Sequence, residues 1–211
     1  MSEICSPAQK KGYTMVNSRL KGFQAAALVV VGTAFLILSR VLCINEIIGG
    51  HLATFSFFDA IMPLTGSVSL ALTGLVYGIR SVIKLTLLGA TPFALVYHIP
   101  GVCASASWAS QSRLIHLGLP LACMALFVAH PVGFAAAPYS LYWLIPVGVT
   151  LFRPDSIFLR SLSSTFIAHG VGSVIWLYST SMTSAMWMSL IPVVIVERLI
   201  LASVMTLVYT A

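Results

Sequence analysis

The apolar positions of this chain fall into long continuous blocks, without the alternating or one-faced pattern of a water-exposed fold. The first block predicts a helix over residues 21–43, with the core FQAAALVVVGTAFLILS. A break follows, INEIIGGHLAT, which holds Glu46, Gly49, Gly50 and His51. Further helices are predicted over residues 56–78, ending at the basic pair Arg80 and Lys84, and over residues 82–106. Pro92 and Pro100 interrupt the latter. Proline lacks an N–H and clashes with the preceding turn, so a kink or an unwound piece is expected near HIPG. The last two blocks predict helices over residues 156–178 and 185–209. Such lengths are near the roughly 20 apolar residues that a bilayer crossing needs.

Residues 114–152 are apolar almost throughout, and about 39 residues are too many for one crossing and short for two. Pro120, Pro131, Pro138 and Pro146 divide this stretch into either two short spans or one span with a re-entrant or interfacial piece. Basic flanks stay on the cytoplasmic side of membrane helices. With Lys10, Lys11, Arg19 and Lys21 inside, Arg80 and Lys84 are also inside after two crossings. One net crossing over 114–152 then brings Arg153 and Arg160 inside and leaves Arg40 and Arg113 near the outer face. The fold expected is all-α, a polytopic transmembrane bundle of about six spans with a Pro-broken middle segment. Residues 1–19 form a cytoplasmic tail and 20–211 a single transmembrane domain. Both ends lie in the cytoplasm, and the membrane expected is a bacterial inner membrane.

Composition points the same way. The chain is 59% hydrophobic and 8% charged, with mean hydropathy +1.00, whereas a soluble domain carries about 25% charged residues to wet its surface. The net charge of +6 does not imply nucleic acid, because no basic stripe interleaves with aromatics. About 22 mostly polar residues precede the first block and no A-x-A-like site follows a short apolar core, so a cleavable signal is not expected. Cys5, Cys43, Cys103 and Cys123 show no CxxC spacing and read as buried apolar thiols. No cofactor or metal is indicated.

Ionisable residues inside a span are costly and usually functional. Glu197 and Arg198 sit mid-block in PVVIVERLILAS. Adjacent helical residues point about 100° apart, so each is expected to need its own partner or a polar cavity. His169 lies at a comparable position in the preceding block, and Thr165, His169 and Ser173 form a polar stripe with Trp176 near the same side. Trp176, Tyr178 and Trp187 offer stacking surfaces at one end. This group reads either as a polar clamp that fixes helix packing or as the lining of a ligand cavity. Asp59 reads as a capping or interfacial residue, or as part of an outward-facing cavity. His98 and His130 each precede a proline break that frees backbone carbonyls. The segment YSLYWLIP, residues 139–146, reads as an interfacial aromatic belt in preference to a lid.

Small residues recur at four-residue spacing, where helix backbones approach closely in lipid. Ser18, Gly22 and Ala26 do so at the start of the first block, Gly74 and Gly78 in the second, and Ala168 and Gly172 near His169. Enzyme signatures are weak: Gly66-Ser67-Val68-Ser69 is followed by Leu70, so the intramembrane serine-protease pattern fails, and HExxH and GxxxxGK[ST] are absent.

With about 200 residues, six spans, both ends inside and the small-residue face of Ser18, Gly22 and Ala26, residues 15–210 resemble the substrate-binding S-component of energy-coupling-factor vitamin transporters. The resemblance implies that this face docks a transmembrane coupling subunit energised by ATPases. It also implies a small, vitamin-like substrate held near the outer face under residues 44–54, which contain Glu46 and His51. Together with Asp59, His169, Trp176, Glu197 and Arg198 these make the substrate-binding set. Two other classes stay open: a membrane-embedded enzyme acting on a lipid through His169 or His130, and a non-catalytic assembly subunit.

Overall fold

The structure is a computed structural model that describes residues 57–87, 89, 91–152 and 155–211. These residues form helices and connecting turns, with no strand among them, in agreement with the all-helical expectation. The predicted helix over 21–43 and the tail before it lie outside the described residues.

The block predicted over 56–78 is not one helix. Helix α1 (Phe57–Ile61) passes through a 3-10 turn (Met62–Leu64) into the single turn of α2 (Thr65–Val68). The chain then extends at Ser69 and restarts as α3 (Leu70–Thr86), capped by the Ser69 hydroxyl, which accepts from the Leu72 amide at 3.0 Å. A serine that offers its side chain to the backbone favours such restarts over helix interiors. Helix α3 runs on past Arg80 and Lys84.

Pro92 opens a 3-10 segment, Pro92–His98, and Pro100 falls in the first turn of α4 (Ile99–Ala109). There its missing N–H costs nothing, so HIPG starts a helix and does not kink one.

Residues 114–152 make a helical hairpin. A wide turn, Leu114–Gly118, leads into α5 (Leu119–Ala129); the chain extends at His130, forms α6 (Pro131–Ala135), then a 3-10 segment (Ala137–Trp143) and α7 (Leu144–Phe152). The start of the hairpin packs on α7 and the 3-10 segment packs on α5. Residues 114 and 152 therefore lie at the same end of the bundle, and the expected single net passage is corrected to an out-and-back one. Charge placement misled because it weighed two arginines against a break that His130 and Pro131 make locally: His130 accepts from the Val132 amide at 3.3 Å and stops α5 there.

Helix α8 (Ile157–Ser179), close to its predicted bounds, is capped by Ser156 and forms the axis of the fold. Near its start, Arg160 donates to the Trp108 carbonyl at 2.8 Å, Ser164 to the Ala104 carbonyl at 3.1 Å, and Thr206 to the Ser161 hydroxyl at 3.3 Å. At its far end, Tyr97 and Ser179 hydroxyls meet at 3.2 Å and Tyr178 donates to the Leu126 carbonyl at 2.9 Å. Helix α4 thus runs against α8 and α5 runs with it. The last predicted helix divides at Leu190 into α9 (Ser184–Ser189) and α10 (Ile191–Thr210), with Pro192 in the first turn of α10. Helix α10 also runs against α8.

Among the described residues only α10 is both long and apolar enough to cross a bilayer; Leu114–Ala129 and Ala137–Phe152 are apolar but shorter. Helix α8 is longer, at 23 residues, yet rich in serine, because α4, α5, α7 and α10 surround it. A helix covered by other helices can carry hydroxyls that bond nearby carbonyls, as Thr165 does to Leu162 at 2.8 Å.

Candidate functional site

An aromatic cluster centred on Tyr139 fills the space between α5, α8, α9 and the 3-10 segment. The 3-10 turn swings Tyr139, Tyr142 and Trp143 inward, and Tyr139 and Trp143 are almost fully buried. The expectation of an interfacial belt over YSLYWLIP is therefore corrected for Tyr139 and Trp143, whose rings are buried; Tyr142 is partly exposed, and Leu141 and Leu144 face outward. Ring centroids lie 5.0 Å apart for Tyr139–Trp187, 5.5 Å for Tyr139–His169 and 5.6 Å for Tyr139–Phe127. Trp143 meets Phe127 edge-on at 5.2 Å, and Phe166 meets His169 at 6.2 Å. Gly170 makes room: a Cβ there would sit 3.4 Å from both the Cys123 Cβ and the Trp143 ring.

Three nitrogens in this cluster are buried without a hydrogen-bond partner among the described residues: His169 Nε2, Trp143 Nε1 and Trp187 Nε1. A buried polar atom left unbonded costs about 1–3 kcal/mol, and three of them surround one tyrosine. Other such atoms include Trp108 Nε1 and Arg160 Nε, near the opposite end of α8, where the guanidinium covers the indole at 4.3 Å.

Beside the cluster, Glu197 and Arg198 are buried on α10. Each was expected to need its own partner or a polar cavity, and the structure pairs them with each other: Arg198 donates to the Glu197 carboxylate at 3.5 Å. Cβ directions diverge by about 100°, but the arginine stem is long enough to turn its guanidinium back. The Arg198 charge reaches His169, and both members of the pair act on Tyr139, which also has the Ser173 side chain beside it. Packing of α8 on α10 thus gathers His169, Ser173, Glu197 and Arg198 as expected.

Other candidates lie apart. Trp176 packs on Tyr97 at 5.9 Å and Tyr178 meets His130 edge-on at 5.1 Å, while Trp187 alone of the three predicted stacking residues joins the cluster. Asp59 forms an ion pair with Arg80 at 3.4 Å. His98 Nδ1 lies 3.1 Å from the Ser81 hydroxyl. Glu46, His51, Ser18, Gly22 and Ala26 lie outside the described residues, as do Cys5 and Cys43.

Sequence reasoning found His169, Glu197 and Arg198 through charge in apolar blocks. It brought in Tyr139 and Trp143 only within the segment 139–146, read as a belt in preference to a lid, and did not single out Phe127, Phe166 or Gly170, which join the cluster. An open groove on α3, lined by glycine and aliphatic side chains, touches none of the polar cluster. No group of three metal-ligating side chains occurs among the described residues.

The arrangement offers two indole donors, an imidazole and a buried ion pair inside flat apolar walls. The indole N–H groups are hydrogen-bond donors and the imidazole can donate or accept, so the cluster presents polar atoms inside an otherwise apolar core. No family model, no curated protein and no solved structure matches this chain.

Proposed function

We propose that this chain is a multi-pass inner-membrane protein that binds and helps transport a small, partly polar, vitamin-like metabolite. The observation that carries the reading is the convergence of His169 Nε2, Trp143 Nε1 and Trp187 Nε1, all without partners among the described residues, around Tyr139. A ligand offering acceptors completes these atoms, the rings stack against it, and the Glu197–Arg198 pair orients its polar end. The 8% charge and +6 net charge support a bundle held in lipid with its basic ends oriented by the membrane. Asp59 and Trp176 lie apart from this cluster, and in this reading Glu46 and His51 belong to the substrate-binding set through the resemblance alone. Ser18, Gly22 and Ala26 dock a transmembrane coupling subunit with its ATPases, as in the transporter family the sequence resembles.

Native mass spectrometry of the tagged protein, gently extracted from its own membrane, tests this directly. A retained small molecule that is lost from His169→Ala and Glu197→Gln, with both variants folded, is the expected result. Equal retention by both variants removes the site assignment. A protein carrying lipids alone removes the binding function.

A further inference from the structure

Helix α3 is seated on the bundle through its first half. Thr73, Val76 and Tyr77 are buried there, and the Thr73 and Thr65 hydroxyls meet at 2.8 Å. No residue of α3 after Tyr77 is buried. The contacts that tie this second half to the bundle include Arg80 with Asp59 at 3.4 Å and Ser81 with His98 at 3.1 Å.

The contact at Ser81 fixes the state of the imidazole. The Ser81 hydroxyl has one hydrogen, and it is donated to the Tyr77 carbonyl at 2.7 Å. The oxygen is then an acceptor for His98, so Nδ1 carries the ring proton and Nε2 the lone pair. His98 is 7% exposed, its ring lies 5.3 Å from that of Tyr77, and Nε2 is buried without a hydrogen-bond partner. Tyr77 in turn sits where Gly101 leaves α4 bare, since a Cβ on Gly101 would strike its hydroxyl.

A proton added at Nε2 undoes this contact in two ways. The new N–H has no acceptor, and the new charge stands in a dry contact beside other cations. Lys84 and Arg80 of α3 face the ring, Asp59 of α1 is the acid that faces it, and Tyr77 is its neutral titratable neighbour. Helix α4 carries no charged residue, and the end of α8 brings Trp176 and Ser179 to the adjacent Tyr97.

We propose that His98 is an acid-released latch: its neutral ring holds the second half of α3 to the bundle through Ser81, and protonation lets that half swing away. The latch is at full strength above the ordinary histidine value of about 6.5 and weakens as the pH falls below it. It is independent of the ligand site around Tyr139.

Spin-label distances, measured by double electron–electron resonance on the full chain with its four native cysteines replaced by alanine, test the latch. One pair joins Val82→Cys on α3 to Leu126→Cys on α5, and a control pair joins Leu126→Cys to Ile195→Cys on α10; all three positions are exposed. The expected result is a distance from position 82 to position 126 that lengthens reversibly on acidification while the control distance holds. His98→Asn, whose amide nitrogen takes the place of Nδ1 and does not titrate, is expected to abolish the change. Ser81→Ala, which removes the acceptor, is expected to bring release at a higher pH than in wild type. A distance that stays constant in acid while the control pair holds overturns the proposal. So does an equal shift in His98→Asn, or a release in Ser81→Ala at the wild-type pH. A control distance that changes together with the first shows general acid unfolding and overturns it as well.

Discussion

Arg198 and Glu197 carry the sharpest energetic consequence at the residue scale. Their side chains are 4% and 10% exposed, so removing Arg198 takes this partner from the Glu197 carboxylate in a low-dielectric interior, at a cost of about 3–5 kcal/mol. Arg198→Met is expected to lower the melting temperature in detergent by on the order of 10 °C for a chain of this size. The double change Glu197→Leu with Arg198→Met removes both charges at similar volume and is expected to recover most of that loss. Binding separates the two roles that sequence left open, clamp and cavity lining. A double variant that melts near wild type and no longer retains the ligand supports the cavity; one that retains it makes the pair a clamp. The pair was visible in the sequence because charge stands out in an apolar block. Its internal ion pair was not, since Cβ spacing says nothing of where a long side chain turns its head.

Among the elements, close backbone approach decides which substitutions the bundle tolerates. Gly66 lies where α2 meets α4, and the Cβ of an alanine there would run into the Ser105 backbone, which cannot swing aside as a side chain does. Gly66→Ala is expected to destabilise by about 1–3 kcal/mol through overpacking. Gly148 in α7 has nothing within 4 Å of its Cβ position, so Gly148→Ala is expected to be neutral or to gain about 0.5–1 kcal/mol from the helix preference of alanine. Thermal melts of the two variants check this. A Gly66→Ala protein as stable as wild type contradicts the packing of α2 on α4. These elements also show what was legible. The bounds of α8 were readable because Ser156 caps it and an apolar block fills it. The restart at Ser69 and the hairpin at His130 were not, because each depends on a local side-chain bond to backbone inside an otherwise continuous apolar run. Tyr139 and Trp143 were misjudged for a related reason: a belt and a buried cluster share one sequence, and a 3-10 turn decides which way the rings face.

For the whole molecule, the direction of each helix decides which residues share an end of the bundle. Trp108, Arg160 and Tyr209 meet at one end, with a 4.9 Å ring contact between Trp108 and Tyr209, and Arg113 follows Trp108 closely in the chain. Ser81, His98, Tyr97 and Ser179 meet at the other, which carries Lys84. Basic residues stand at both ends, Arg113 and Arg160 at the first and Arg80 and Lys84 at the other, so the basic rule does not choose between them, and the placement put to the test has Arg113, Arg160 and the C-terminus in the cytoplasm. Lys84 then lies outside, the reverse of the placement that a single crossing of residues 114–152 would give. In intact cells, with the native cysteines replaced, a membrane-impermeant thiol reagent is expected to label Thr91→Cys and Ser181→Cys and to spare Ser112→Cys until the membrane is opened. Labelling of Ser112→Cys alone inverts the orientation. Equal labelling of all three sites before the membrane is opened means that the bundle does not cross the membrane, and the transport reading falls with it.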